Sequence, residues 1–186
     1  MSVLLQFAKG IDWVNERFGR LVCWLTLAMV LVASYNTIAR YCGRYVGRNL
    51  TSNALLETQW YLFSAVFLLG AAYALIHNVH VRVDVMYAHL GARVRAWINL
   101  IGGGLLLLPF SIFAIWASWR PVMSSWQIQE MSPDPGGLPR YPIKMLIPVA
   151  FVLLILQGIA EMIKIVVFLR QGGEEPGSKE DNVGSL

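Results

Sequence analysis

The stretch that decides the fold is AWINLIGGGLLLLPFSIFAIWASW, residues 96–119, which contains no Asp, Glu, Lys or Arg. Three further uncharged apolar runs cover residues 21–39, 60–76 and 145–160. A helix that crosses the hydrocarbon of a bilayer needs about 20 mostly apolar residues. The second and fourth runs reach that length when they are extended back to residue 55 and on to residue 169. The sequence therefore predicts an all-α integral membrane protein with transmembrane helices over residues 21–39, 55–76, 96–119 and 145–169.

Composition agrees with a membrane protein and excludes several other classes. The chain has 186 residues, of which 56% are hydrophobic and 14% are charged, and its mean hydropathy is +0.55. Its net charge of +4 is modest, and basic residues of membrane proteins gather in flanks and loops, so no nucleic-acid partner is indicated. Cys23 and Cys42 stand far apart, and no Cys/His cluster has metal-ligand spacing. We therefore expect no cofactor, no metal and no enzymatic activity.

The two ends of the chain differ from the predicted spans. Apolar residues recur on one face of residues 3–18, which predicts an N-terminal amphipathic helix lying in the membrane interface; packing on a partner protein is the alternative. Residues 171–186 are rich in Gly, Glu and Ser, which predicts a disordered tail after a single membrane domain of residues 1–170. More of the basic residues fall on the side of the termini, which favours a cytoplasmic location for both.

Polar side chains near the span ends are candidates for subunit contacts. Glu57 stands at the start of the second helix, where it either caps that helix or ties it to a neighbour. Gln157, Glu161 and Lys164 follow one another at spacings of four and three and share a face of the fourth helix. The position of this face near the inner boundary is also explained by snorkelling of Lys164 to the headgroups.

Two further segments carry candidate docking residues. Arg40, Arg44 and Arg48 recur every four residues after the first span and form a stripe if that helix continues; they contact either lipid phosphates or an acidic partner. In the stretch at residues 77–85, valines alternate with polar residues, which predicts an extended connector. Its candidate contact residues are His80, Arg82 and Asp84.

The loop MSPDPGGLPRYP, residues 131–142, carries four prolines and two glycines. Proline fixes φ and removes a backbone donor. The loop is therefore predicted to be a shaped, non-helical turn outside the membrane, serving either as a docking surface or as a stiff link. Its candidate contact residues are Gly137, Pro139 and Arg140, followed by Lys144.

Several of these motifs, in this order, resemble one known family. They are residues 57–75, HVRVDV at 80–85, GGLPR at 136–140 with Pro142, Lys144 and Pro148 after it, and LQGIAE at 156–161. Together they resemble the small membrane subunit of tripartite ATP-independent periplasmic (TRAP) transporters, the DctQ-like small permease. The resemblance runs from about residue 36 to residue 169. The turn SPDPGGLP and the stretch QWYLF at 59–63 look most like the branch labelled mannitol/chloroaromatic or 2-oxo acid transport.

The resemblance implies a place in the bacterial inner membrane beside a large permease subunit. That subunit would carry the organic-anion and sodium sites, and a periplasmic solute-binding protein would deliver the solute. The small subunit would be a scaffold that contributes to the docking surface. A self-sufficient four-helix exporter acting as a dimer is the alternative, but it needs an acidic residue deep in a span. A membrane redox or lipid-processing enzyme would need facing histidines or a nucleophile beside a base, and neither is visible in the sequence.

Overall fold

The computed structural model describes residues 2–77 and 90–170, with side chains from residue 4. Four long helices make up most of this part: α1 (Ser2–Val46), α2 (Asn53–Ile76), α3 (Ala92–Gln127) and α4 (Tyr141–Arg170). Each is long and apolar enough to cross a membrane. The predicted fold class is confirmed. The predicted connector with His80, Arg82 and Asp84, and the predicted tail at 171–186, lie outside the described residues.

The first helix is continuous, and the predicted separate amphipathic helix at residues 3–18 is not shown. These residues form the first turns of the 45-residue helix α1, which is about 68 Å long at 1.5 Å per residue. The apolar residues predicted to share one face of this segment differ in their burial. Leu4 and Phe7 are exposed, whereas Ile11 is buried and, with Ala8, packs against Ala160 of α4. The segment continues as helix because no proline interrupts it between its start and the apolar run. Its place in the membrane interface stays a prediction.

Helix α4 is the centre of the bundle. It packs against each of the other three helices, and α1 and α2 also pack on each other. Leu153 of α4 meets Leu69 and Ala72 of α2 in one buried cluster. Helices α1 and α2 also meet where Gly19 faces Tyr73. A Cβ added at Gly19 would lie 2.0 Å from the Tyr73 ring, so only glycine allows that close contact.

Helix α3 lies at the side of the bundle and contacts mainly α4. It contains a π-helical turn at Gly102–Leu107. Pro109 follows this turn and has no N–H for the carbonyl four residues earlier, so the regular hydrogen-bond ladder is interrupted there. Gly103 faces the side chain of Met162, where small residues let helix backbones approach closely. In the apolar 18-residue stretch of α3, only 6% is buried inside the bundle, against 28% in the corresponding stretch of α4.

Candidate functional site

The proline-rich loop folds as a hydrogen-bonded hairpin, here called the proline-rich hairpin (residues 131–139). Met131 and Pro139 form an isolated antiparallel bridge, and the Ser132 amide donates to the Leu138 carbonyl at 3.1 Å. The tip closes with a bond from the Gly137 amide to the Asp134 carbonyl at 3.0 Å. Gly136 has φ of 73°, a left-handed conformation that glycine adopts without strain. The segment is therefore a shaped turn, as the prolines predicted.

Glu57 of α2 holds this hairpin through two hydrogen bonds to its carboxylate. Its side chain is 7% exposed. One carboxylate oxygen accepts a hydrogen bond from the Ser132 hydroxyl, and Oε2 accepts one from the Leu138 amide at 2.5 Å. Helix α2 is instead capped by Ser52, whose hydroxyl accepts from the Leu55 amide at 3.3 Å. Neither sequence interpretation of Glu57 describes this arrangement, because the carboxylate binds a loop rather than a helix end or a neighbouring helix.

Gly137 lets the hairpin approach Glu57. A Cβ at this position would lie 2.5 Å from Ser132 Cβ and 2.8 Å from Glu57 Oε2. Two further bonds fix the hairpin: Asn53 Nδ2 donates to the Pro135 carbonyl at 3.0 Å, and the Tyr61 hydroxyl donates to the Pro139 carbonyl at 3.2 Å. The hairpin is thus held by side chains of α2 along its length.

An ion pair anchors the base of the hairpin to α4. The Lys144 ammonium donates to the Glu130 carboxylate, and the Arg140 amide donates to the Glu130 carbonyl at 2.8 Å. The hydrogen bond from Lys144 holds the pKa of Glu130 below its ordinary value of 4.5. Beside this pair lies a pocket of about 530 Å³ in which side chains of both charges meet. Its charged lining residues are Glu57, Asp134, Arg140 and Lys144.

The arginines after the first span lie at the same end of the bundle. Arg40 and Arg44 are on α1, and the Arg44 guanidinium lies 6.0 Å from the centre of the Tyr41 ring. The helix ends before Arg48, because Gly47 has φ of 70° and the Arg48 amide turns back to the Gly43 carbonyl at 3.1 Å. All three side chains are exposed, but the predicted stripe is helical only over its first two members.

A second polar group lies in the C-terminal half of α4, toward the end opposite the hairpin, and we call it the α1–α4 polar cluster. Gln157 is fully buried and its amide nitrogen donates to Asp12 Oδ1 at 2.9 Å and to Glu161 Oε1 at 3.1 Å. Asn15, also fully buried, donates to Gln157 Oε1 at 2.8 Å. The Lys164 ammonium bridges the two carboxylates, 2.8 Å from Asp12 and 2.7 Å from Glu161. This cluster fastens the N-terminal half of α1 to α4.

Three of the five residues of this cluster could be found from the sequence. The shared face of Gln157, Glu161 and Lys164 followed from helical spacing. Asp12 and Asn15 were missed because they stand 145 and 142 positions from Gln157, and no spacing rule links residues so far apart. Their one local signal is a spacing of three, which places both on one side of α1.

The predicted contact residues therefore form two groups rather than one site. Glu57, Gly137, Pro139, Arg140 and Lys144 meet at the hairpin end, whereas Gln157 and Glu161 lie at the other end of α4. Lys144 and Glu161 are about 26 Å apart along the helix at 1.5 Å per residue. Within residues 2–77 and 90–170, no three His, Cys, Asp or Glu side chains are placed to hold a metal ion.

Comparison with known proteins gives one match. Residues 29–167 match the family model described as "Tripartite ATP-independent periplasmic transporters, DctQ component". Neither a curated protein nor a solved structure matches the chain. The matched region includes α2, α3, the proline-rich hairpin and nearly all of α4, but not Asp12 and Asn15 of the α1–α4 polar cluster. A match of this extent, on four helices that are each able to cross a membrane, shows that the chain belongs to the DctQ family, which is the small-subunit component of TRAP transporters.

Proposed function

We propose that this chain is a scaffold subunit of a TRAP transporter in the bacterial inner membrane, with both termini cytoplasmic. In this role it packs against the large permease subunit and contributes to the surface on which the periplasmic solute-binding protein docks. The transport that it supports is sodium-coupled uptake of an organic anion. The mannitol/chloroaromatic or 2-oxo acid branch of substrates is suggested by the sequence resemblance alone.

One observation carries the scaffold role: the carboxylates of the α1–α4 polar cluster are already bonded within the chain, to Lys164 and Gln157. Lys164 lies between Asp12 and Glu161, and Gln157 donates to both. An anion or a sodium ion would have to displace these bonds, and such displacement is costly away from water. The same bonding disfavours the exporter alternative, which needs an acidic residue free to exchange protons. We therefore place the substrate site on the large subunit.

The lipid-accessible face of α3 supports packing against that subunit. Its residues Leu105, Leu106 and Phe113 are 59% to 70% exposed, and the helix contacts this chain mainly along α4. Apolar exposure by itself does not require a protein partner, because lipid also covers apolar side chains. The peripheral position of α3 is the second support. A helix attached to the bundle on one side leaves its opposite side for a neighbouring protein.

The hairpin end supports the docking role. The hairpin tip is exposed, and Glu57, Asn53 and Tyr61 hold the hairpin along its length, so its shape does not have to be formed during binding. The bond from Asn53 to the Pro135 carbonyl brings the start of α2 to the hairpin tip, and the exposed Arg44 and Arg48 stand just before that helix. This cationic surface suits an acidic patch on a soluble partner.

A binding measurement tests both roles. The tagged chain is co-expressed with the large TRAP permease subunit of the same organism, and the complex is placed in nanodiscs. The solute-binding protein of the same system is then titrated onto it by surface plasmon resonance. We expect the two membrane subunits to co-purify, and the double variant Arg44→Gln/Arg48→Gln to bind the soluble protein about tenfold more weakly, with the difference shrinking in high salt.

The matched control is Arg93→Gln, an exposed arginine at the start of α3, which leaves binding unchanged. Failure of the large subunit to co-purify would contradict the scaffold role. Binding of the double variant that equals wild type would contradict the docking role while leaving the scaffold role intact.

A further inference from the structure

A groove on α3 has the features of a lipid site. Its volume is about 620 Å³, and the described residues that line it are Ile112, Ile115, Trp116, Ala117, Trp119 and Arg120. Trp116 and Trp119 are 74% and 47% exposed, so the groove opens to the surroundings of the bundle. Arg120 is the one charged residue among these lining side chains, and no carboxylate is among them.

The Arg120 guanidinium has unused donors. Within residues 2–77 and 90–170 it forms no hydrogen bond and no ion pair. By contrast, Lys144 is paired with Glu130, and Lys164 is paired with Asp12 and Glu161. A guanidinium offers five N–H donors in a planar fork that matches phosphate oxygens. The groove therefore presents a positive charge for which the described chain supplies no partner.

The position of Arg120 along α3 places it at the headgroup level. It directly follows the uncharged run at 96–119, which is long enough to fill the hydrocarbon. Tryptophans favour the boundary between hydrocarbon and headgroups, and two of them stand within four residues before Arg120. Ile112 and Ile115 lie two turns and one turn deeper, at the depth of acyl chains.

We propose that this groove binds an anionic phospholipid, with the phosphodiester on Arg120 and an acyl chain along Ile112, Ile115 and Trp116. A net negative headgroup is favoured over a zwitterionic one because the described lining offers no carboxylate to an ammonium group. The pocket beside the proline-rich hairpin differs in this respect, since it contains Glu57 and Asp134 together with its bases. An anionic headgroup lies at the same level as Arg120 and brings the acceptors that its guanidinium lacks in the described part of the chain.

Native mass spectrometry of the full-length chain in detergent tests the proposal. The chain is mixed with equal amounts of phosphatidylglycerol and phosphatidylethanolamine. Retained lipid is counted on the wild type, Arg120→Gln, Arg120→Lys and Arg93→Gln. We expect the wild type to retain phosphatidylglycerol about tenfold more than phosphatidylethanolamine. Arg120→Gln should lose this preference and Arg120→Lys should keep part of it. Arg93→Gln, which removes an exposed arginine at the other end of α3, should behave as wild type.

Three results would overturn the proposal. They are equal retention of the two lipids by the wild type, unchanged preference in Arg120→Gln, and a loss of the preference in Arg93→Gln as large as that in Arg120→Gln. The measurement is then repeated with the large permease subunit bound. Release of phosphatidylglycerol on assembly would show that a protein covers the groove, and retention would support the lipid. These readouts do not depend on transport or docking, so they separate this proposal from the proposed function.

Discussion

The two ends of α4 use polar side chains in different ways. At the hairpin end, Glu57 accepts hydrogen bonds from the hydroxyl and the backbone amide of a loop. At the opposite end, Asp12, Gln157 and Lys164 bond side chain to side chain between two helices. The first arrangement fixes the shape of a surface, whereas the second fixes the position of a helix. In this bundle, polar contacts therefore fix both the shape of a surface loop and the position of a helix, and the second set reaches the middle of α4 at the buried Gln157.

The largest expected effect comes from breaking the α1–α4 polar cluster. Gln157→Leu removes its bonds to Asp12 and Glu161 and leaves the Asn15 amide buried without its acceptor. A buried polar group without a partner costs about 1–3 kcal/mol, so we expect a loss of roughly 3 kcal/mol in the free energy of unfolding. Steric trapping in bicelles measures this value. Gln59→Leu, at a half-buried position of α2, should change it by less than about 0.5 kcal/mol.

If Gln157→Leu and Gln59→Leu proved equally mild, the cluster would not fasten α1 to α4. The comparison between the two ends of α4 would then lose its second half.

A smaller and local effect is expected at the other end. Gly137→Ala places a methyl group 2.5 Å from Ser132 Cβ and 2.8 Å from Glu57 Oε2, so the hairpin must move away from the carboxylate. Crowding of this kind costs about 1–3 kcal/mol. Hydrogen exchange should show faster exchange of the Leu138 amide, with the α1–α4 polar cluster unaffected. Gly102→Ala, where a Cβ meets nothing within 4 Å, is the matched control. Unchanged exchange at Leu138 would mean that Glu57 does not hold the hairpin.

The smallest effect is a pH dependence confined to the hairpin end. The pKa of Glu130 is lowered from 4.5 by the hydrogen bond from Lys144. A carboxyl group with a lowered pKa in the folded state stabilises the fold fully above its unfolded pKa, and this contribution disappears as the pH falls through the folded pKa. Protection of the Arg140 amide should therefore be constant from neutral pH down to about 5 and should decrease below about 4.5.

Lys144→Met should weaken that pH dependence, because the largest cause of the lowered pKa of Glu130 is removed. If protection of the Arg140 amide fell equally steeply with decreasing pH in Lys144→Met, the pH dependence would belong to another carboxyl group.

Much of the hairpin end could be predicted from the sequence, although its central contact could not. Proline and glycine spacing predicted a shaped turn at residues 131–142 because these residues restrict or extend φ locally. Glu57 was singled out as a carboxylate at the edge of a span. Its partners, Ser132 and Leu138, stand 75 and 81 positions away, and no local pattern connects them to it. The same reason explains why Asp12 and Asn15 were missed.

That four helices can cross a membrane follows from the sequence alone, because the free energy of transferring each side chain from water to hydrocarbon adds up along each apolar run. The sequence also determined the family, since the order of the short motifs lies along the chain. Only the tertiary structure decided that α4 is central and α3 peripheral, that Lys164 meets Asp12 across 152 positions, and that α1 continues through residues 3–18. These outcomes depend on which helix faces meet, and such contacts are set by packing between distant segments rather than by the composition of any one segment.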